Sequence, residues 1–355
     1  MNENTRVSVV IPAYNAEDFI EDAVKSCFRQ TYRPLETVVV NDGSTDATAN
    51  KVKSLARSLP ADSFELRVID IGNNMGAANA LNVGFSNAEG EYICWLSADD
   101  MFIDKEKVTK QVAHMKRTRA NWSYFKKCYM GTNLSKSKLE LPSYLPRLPM
   151  LDSLFIHNPD LRLAALLFRN PVNGSSVMIK KETAQLYGQF DPTTRNIDGD
   201  GDLWMRYSAL KLKLEAVEGA PVFYREHGKQ TSKRIDQMIY GCELTRIRIL
   251  RALEKNSKLE LIIKKLASFL PIILETKQHF KRPLVSEFLF TYIINNKAKF
   301  DWFLFKMAEK SLNDVRNHGN YRNIDKNKFA KDLEVLMRSD TFKKFEEKLR
   351  EVGYQ

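Results

Sequence analysis

The sequence has no glycine-rich phosphate loop. No G-x-G-x-x-G follows its first apolar run, and no G-x-x-x-x-G-K-[ST] occurs anywhere. Dinucleotide dehydrogenases and P-loop enzymes are thereby set aside. Cysteine is sparse too: four residues, Cys27, Cys94, Cys128 and Cys242, with no C-x-x-C pair. That spacing excludes a zinc ribbon or disulfide framework and leads us to expect a reduced, cytoplasmic protein. Long apolar runs are missing as well. The richest late stretch, Leu259 to Leu274, is broken by Lys264, Lys265 and Pro271, and is too short and polar to span a bilayer. The N-terminal residues lead straight into a strand-like run, so no leader peptide is expected.

What is present is an ordinary globular composition over 355 residues, 43% hydrophobic and 28% charged, enough for one large domain with an extension. The net charge is +11, and from Gly241 onward 24 Lys+Arg stand against 15 Asp+Glu, which places +9 there. The near-neutral remainder argues against a nucleic-acid groove through the main domain. The basic C-terminal face suits an anionic membrane, polymer or partner, or serves only solubility.

Val7-Ser8-Val9-Val10-Ile11 reads as a buried strand closed by Pro12, with Ala13-Tyr14-Asn15 as the loop beyond. A helix follows with apolar pairs Phe19/Ile20, Ala23/Val24 and Cys27/Phe28. A second strand, Glu36 to Val40, runs into Asn41-Asp42-Gly43-Ser44-Thr45-Asp46. A third, Leu66 to Ile69, leads through Asn73-Asn74-Met75-Gly76 to a small-residue helix from Ala77 to Asn87. The fourth, Tyr92 to Leu96, ends in Ser97-Ala98-Asp99-Asp100. Strand and helix alternate through short loops, which predicts an α/β fold with parallel strands and right-handed crossovers. Ligands bind such sheets at the carboxyl ends of the strands. There Tyr14 offers a face for a base or is a plain loop tyrosine. Asp42 accepts a base N–H or caps a helix, a task equally open to Ser44 or Asp46. Asp99 and Asp100 make a seat for a divalent cation carrying a phosphorylated substrate, or else a solvated turn.

Farther on, a helix is expected over Lys105 to Arg119, a strand near Ser123 to Tyr129, and a proline-bearing irregular loop from Asn133 to Met150. The turn Asn173-Gly174-Ser175-Ser176 feeds another strand. The cluster Asp198-Gly199-Asp200-Gly201-Asp202 is no calcium loop, because Leu203 stands where glycine is needed and Ala209 where glutamate is. Asp202 reads as the N-cap of a helix from Leu203 to Leu210. Asp200 is then left in the preceding loop, where a carboxylate can act as general base. Val222-Phe223-Tyr224 reads as an edge strand, and His227 lies in the glycine-bearing loop after it. The last third shows helical apolar faces and no motif, so it is a helical cap or a membrane-surface helix.

Val7 to Asn15, Val38 to Asp46, Asn74-Met75-Gly76 and Leu96 to Asp100, in that order and spacing, resemble the family 2 glycosyltransferases, inverting enzymes with the GT-A fold. The resemblance runs from about Arg6 to Ser232. Asp198 to Arg206 is similar to the family's Glu-Asp-x-x-x-Trp region, and Tyr224 to His227 to its Arg-x-His segment. The resemblance implies that Tyr14 stacks on the base, that Asp42 accepts from it, and that Pro12, Asn74, Gly76 and Asp99 complete the nucleotide-sugar site. Asp100 would bind Mn²⁺ or Mg²⁺ with Asp99 and His227. Asp200 falls on the catalytic base, with Asp198 the alternative, and Asn173, Gly174, Ser175 and Trp204 lie on the acceptor side. Three departures stand out: Ser97 for the first acid of D-x-D, Asn41 for the first of an Asp-Asp pair, and Gly199 for a glutamate.

We therefore expect a GT-A domain over 1–235, divided into a nucleotide-binding half (1–100) and an acceptor-side half (101–235), and a helical basic region over 236–355. The expected reaction is metal-dependent inverting sugar transfer from a UDP-sugar to a glycan, lipid-linked or protein acceptor, of the bacterial surface-polysaccharide type. A GDP-sugar also suits Asp42. Homo-oligomers and peripheral contact with the inner membrane face through the C-terminal region belong to the same expectation. The rival readings are a non-catalytic sugar- or polymer-binding homologue and a nucleotidyltransferase, which would want a basic glycine-rich loop where Pro12-Ala13-Tyr14-Asn15 stands.

Overall fold

The computed structural model describes residues 5–59, 64–143, 151–196, 198–230 and 233–353. The chain forms two compact units: one takes in 1–143, 171–196 and 212–230, the other 144–170, 197–211 and 231–355.

The first unit is built on two sheets. The larger has seven strands: β1 (Val7–Ala13), β2 (Leu35–Asn41), β3 (Glu65–Asp70), β4 (Tyr92–Trp95), β6 (Trp122–Phe125), β9 (Met178–Lys180) and β10 (Leu214–Val217), in the order β10-β6-β9-β4-β1-β2-β3. The smaller holds β5 (Met101–Phe102), β7 (Cys128–Gly131), β8 (Lys138–Glu140) and β11 (Val222–Arg225), in the order β5-β11-β7-β8. The expected parallel core is present: β4-β1-β2-β3 all run one way, while β9 opposes its neighbours β4 and β6. Val7, Val9, Val10 and Ile11 of β1 are wholly buried, as a strand covered on both faces requires. The helix Ala77–Asn87 buries its small residues Ala78 and Ala80 beside Leu81.

Two expectations change here. The single strand anticipated near Ser123 to Tyr129 is two strands, β6 and β7, in different sheets, with only Lys126 and Lys127 between them. Val222 to Tyr224 is an interior strand, because β5 covers one side of β11 and β7 the other. Of the anticipated loop, 134–136 is a short helical turn and 138–140 is β8, while 144–150 lie outside the described residues.

The second unit contains helices and no strand among its described residues. Its longest helix, Ile235–Lys255, has buried polar residues Glu243, Thr245, Arg246 and Arg248 along its middle. Among the described residues no helix is long and apolar enough to cross a membrane. All four cysteines are free and buried.

Candidate active site

Register gathers the first unit's candidate residues at one sheet edge. Ala13 pairs with Asn41 and Asn41 with Asp70, while Val10 pairs with Trp95. The loops after β1, β2, β3 and β4 therefore open together at the carboxyl ends of the strands. They are tied to one another. The Ser44 hydroxyl accepts from the Asn15 N–H at 3.0 Å, and the Asn15 side-chain Oδ1 accepts from the Thr45 N–H at 2.9 Å. Asp46 does the capping work before the helix Thr48–Ser58, accepting from the Thr48 amide and from Glu17 N. That frees Asp42. Its buried carboxylate accepts from the Met75 and Gly76 amides at 2.7 and 2.9 Å. Burial raises its pKa, and the two amides and nearby Arg195 oppose the rise. Asn41, the residue in place of an acid, turns its side chain onto the Ser44 amide at 3.2 Å. Tyr14 stands 49% exposed above this edge, as a stacking platform must. Pro12 and Asn74 are half-buried nearby, and the Arg195 guanidinium donates to the Asn74 carbonyl at 3.3 Å.

Asp99 and Asp100 follow β4. Asp100 is buried, and each of its oxygens has a partner: the Ser175 hydroxyl at 2.6 Å and the Arg225 amide at 3.0 Å. Burial, reinforced by the adjacent Asp99 charge, raises its pKa well above the ordinary carboxylate range. Asp99 is half-buried and lies 3.0 Å from His227 Nε2, while His227 Nδ1 is buried without a partner. The His227 ring packs 4.6 Å from that of Phe19. Arg225 binds this corner together, donating to the Asp99 carbonyl at 3.0 Å and to Asp22 at 2.8 Å.

Asp99 and Asp100 are oxygen donors of the kind a divalent cation takes, although both Asp100 oxygens already have partners. Two crowded carboxylates, one with its pKa driven up, are relieved by a positive ion. Mg²⁺ and Mn²⁺ are commonly held by one or two carboxylates together with substrate phosphates rather than by an all-protein cage. Among the described residues, the group that brings three donor atoms within 4.8 Å is Glu36, Glu65 and Glu89. Arg6 and Arg67 already neutralise that group.

Ser175 was expected on the acceptor side, but its hydroxyl reaches Asp100 and also accepts from the Ser97 amide at 3.0 Å. Asn173 fixes it by accepting from the Ser175 amide at 2.9 Å. Gly174 must be glycine, since a Cβ there would come within 2.3 Å of the Trp95 ring. Ser175 thus fixes the orientation of the Asp100 carboxylate. Ser175→Ala is expected to weaken divalent-cation affinity about 10- to 100-fold, as loss of a partner behind a ligand does, with folding retained. Calorimetric titration of Mn²⁺ into both proteins checks this, and equal affinities would contradict it.

The second unit carries the other acidic cluster. The helix here begins at Gly199, not at Leu203, so Asp200 sits in its first turn and Asp202 one turn inside it. Asp198 takes a left-handed conformation and is committed: it is buried, paired with Arg246 and accepting from the Thr245 hydroxyl at 2.7 Å. Gly201 makes room for it, because a Cβ there would lie 2.4 Å from the Asp198 carboxylate. Asp202 is fully buried against Arg206 at 2.8 Å and Arg248 at 3.0 Å. Asp200 is only half-buried, with the Asn170 amide at 3.2 Å. Desolvation, with the Asp198 charge second, pushes its pKa up to about 6. Of the two candidate bases, Asp200 is the one not held in an ion pair, and its pKa suits proton transfer near neutrality. Trp204, expected to face an acceptor, is wholly buried beside Tyr207, so it packs the helix instead.

The fold is of the GT-A type. Residues 8–172, just under half of the chain, match the family described as "Glycosyl transferase family 2". An uncharacterized glycosyltransferase of Haemophilus influenzae is 28% identical over 232 residues, 64% of this chain and 67% of that one. Matched glycosyltransferases of Rickettsia conorii and Rickettsia felis are spanned over only 37% of their own length. Among solved structures, S. aureus TarS 1-349 in complex with UDP-GlcNAc aligns at TM-score 0.58 with 17% identity, covering 98% of this chain and 93% of that one. The mannosyltransferase PcManGT from Pyrobaculum calidifontis, in complex with GDP-Man and Mn²⁺, aligns at 0.50 with 16% identity, over 94% and 87%.

Proposed function

We propose that the protein transfers a sugar from a nucleoside diphosphate sugar, a UDP-sugar first, to an acceptor hydroxyl with inversion. The observation that carries this reading is the Asp99-Asp100 pair at the carboxyl end of β4, held by Ser175, Arg225 and His227. Tyr14 and Asp42 take the base, and Pro12, Asn74 and Gly76 line the approach. Asp100, with Asp99 and His227, would hold Mn²⁺ or Mg²⁺, which when bound offsets the charge of the departing diphosphate. Asp200 takes the proton from the acceptor hydroxyl. That oxygen bonds to the anomeric carbon as the carbon–diphosphate bond breaks, and a single displacement inverts the centre. We assign 1–100 to donor binding, 101–235 to the acceptor side apart from Ser175, Arg225 and His227, which hold the donor corner, and 236–355 to a helical basic region. A glycan acceptor of surface-polysaccharide type is suggested by the 31% identity over 180 residues to the "Putative teichuronic acid biosynthesis glycosyltransferase TuaG" of Bacillus subtilis.

The test is UDP release from a panel of UDP-sugars with Mn²⁺, alongside an EDTA control and Asp100→Ala. Release from one sugar, lost in both controls, is expected. No release from any UDP- or GDP-sugar, together with no nucleotide binding by calorimetry, overturns the reading in favour of a non-catalytic binding protein.

A further inference from the structure

In the second unit the helix Trp302–Asn317 opens on two adjacent aromatic side chains that stand in solvent, Trp302 at 73% and Phe303 at 63% exposure. They are not on a frayed end. The Asp301 side chain accepts from the Leu304 amide at 2.9 Å and fixes the first turn, and Leu304 is buried. Large apolar surface displayed on a fixed turn marks a contact site.

Charge identifies the partner. Lys297 and Lys299 lie in the exposed turn just before the helix. Lys306 and Lys310 follow Trp302 at i+4 and i+8, so they share its face. Lys264 joins them through Glu260, which lies 2.7 Å from it and 3.4 Å from Lys299. Five lysines thus stand against three local carboxylates, Glu260, Asp301 and Glu309, of which Glu260 pairs with Lys264 and Lys299 and Glu309 pairs with Lys306 at 2.7 Å.

We infer that this aromatic-tipped, lysine-rimmed patch docks on an anionic lipid surface. Trp302 and Phe303 enter the boundary between headgroups and acyl chains, while the lysines extend toward the lipid phosphates. A second copy of the chain suits the patch less well, because a two-fold contact through it would set lysine against lysine. The inference rests on the second unit alone, and its test needs no sugar transfer.

The experiment is co-sedimentation of the full chain with phosphatidylglycerol/phosphatidylcholine vesicles and with phosphatidylcholine vesicles. Binding to the anionic vesicles is expected, weakening as salt shortens the Debye length. The double variant Trp302→Ala/Phe303→Ala is expected to bind at least ~10-fold more weakly, and Lys297→Glu/Lys306→Glu similarly. These positions are exposed or at the helix start, and circular dichroism together with nucleotide binding checks that each variant folds. The inference is overturned if the parent ignores anionic vesicles at low salt or if the aromatic variant binds as the parent does. It is equally overturned if that variant instead abolishes a dimer seen by analytical ultracentrifugation.

Discussion

Asp200→Asn is expected to lower kcat by about 100- to 10,000-fold, the usual worth of a positioned general base. Nucleotide affinity should change little, since asparagine keeps the volume and the contact with Asn170. The parent's pH profile tests the same assignment with its sign fixed. A base works deprotonated, and Asp200 has a pKa of about 6. The rate constant kcat/KM should therefore fall as the pH drops through about 6 and level off above it. In the asparagine variant this acid limb should vanish from whatever activity remains. A variant within 10-fold of the parent, or one that keeps the limb, would remove Asp200 from the mechanism.

The largest stability effect is expected at Asp202. Its carboxylate lies wholly buried between the equally buried Arg206 and Arg248. Asp202→Ala leaves two guanidinium groups in the interior without that counter-charge. Breaking a buried ion pair on one side costs about 3–5 kcal/mol. Denaturant unfolding should show the midpoint falling with the slope unchanged, and Asp202→Asn, which keeps an acceptor, should lose less. A loss below about 1 kcal/mol would mean that water or backbone carbonyls satisfy the arginines. The effect reaches the chemistry as well, because Asp202 anchors the helix whose first turn holds Asp200.

Much of the first unit was legible from local pattern. Val7 to Ile11 and Glu36 to Val40 are strands in parallel register, and the helix from Ala77 to Asn87 has the expected bounds. Continuous apolar runs and short loops specify such units almost locally. The acids after β4 were legible for the same reason, since a strand that ends in carboxylates can only present them at its carboxyl edge. What could not be read were long-range partners. Ser175 reaches Asp100 across 75 positions and Arg225 across 125. Arg246 and Arg248 lie in a stretch without a motif, yet they decide what Asp198 and Asp202 do. Two arginines in an otherwise apolar run of helix were the available signal, because such charges are rarely buried without acids to meet. The helix start at Gly199 was misread for a physical reason too. Two glycines argued for a loop, but Gly201 is there to clear space for a carboxylate.

The division of one expected strand into β6 and β7 bears on how this domain tolerates change. Asp99 and Asp100 hang from the larger sheet, whereas Arg225 and His227 come from β11 and the loop after it, on the smaller one. The acidic corner is therefore a seam between two sheets, and Lys126-Lys127 is, among the described residues, the shortest of the three links that carry the chain from the larger sheet to the smaller, beside 96–100 and 218–221. A residue added between Phe125 and Cys128 would shift the register in which β7 meets β11, and with it the placement of Arg225 and His227.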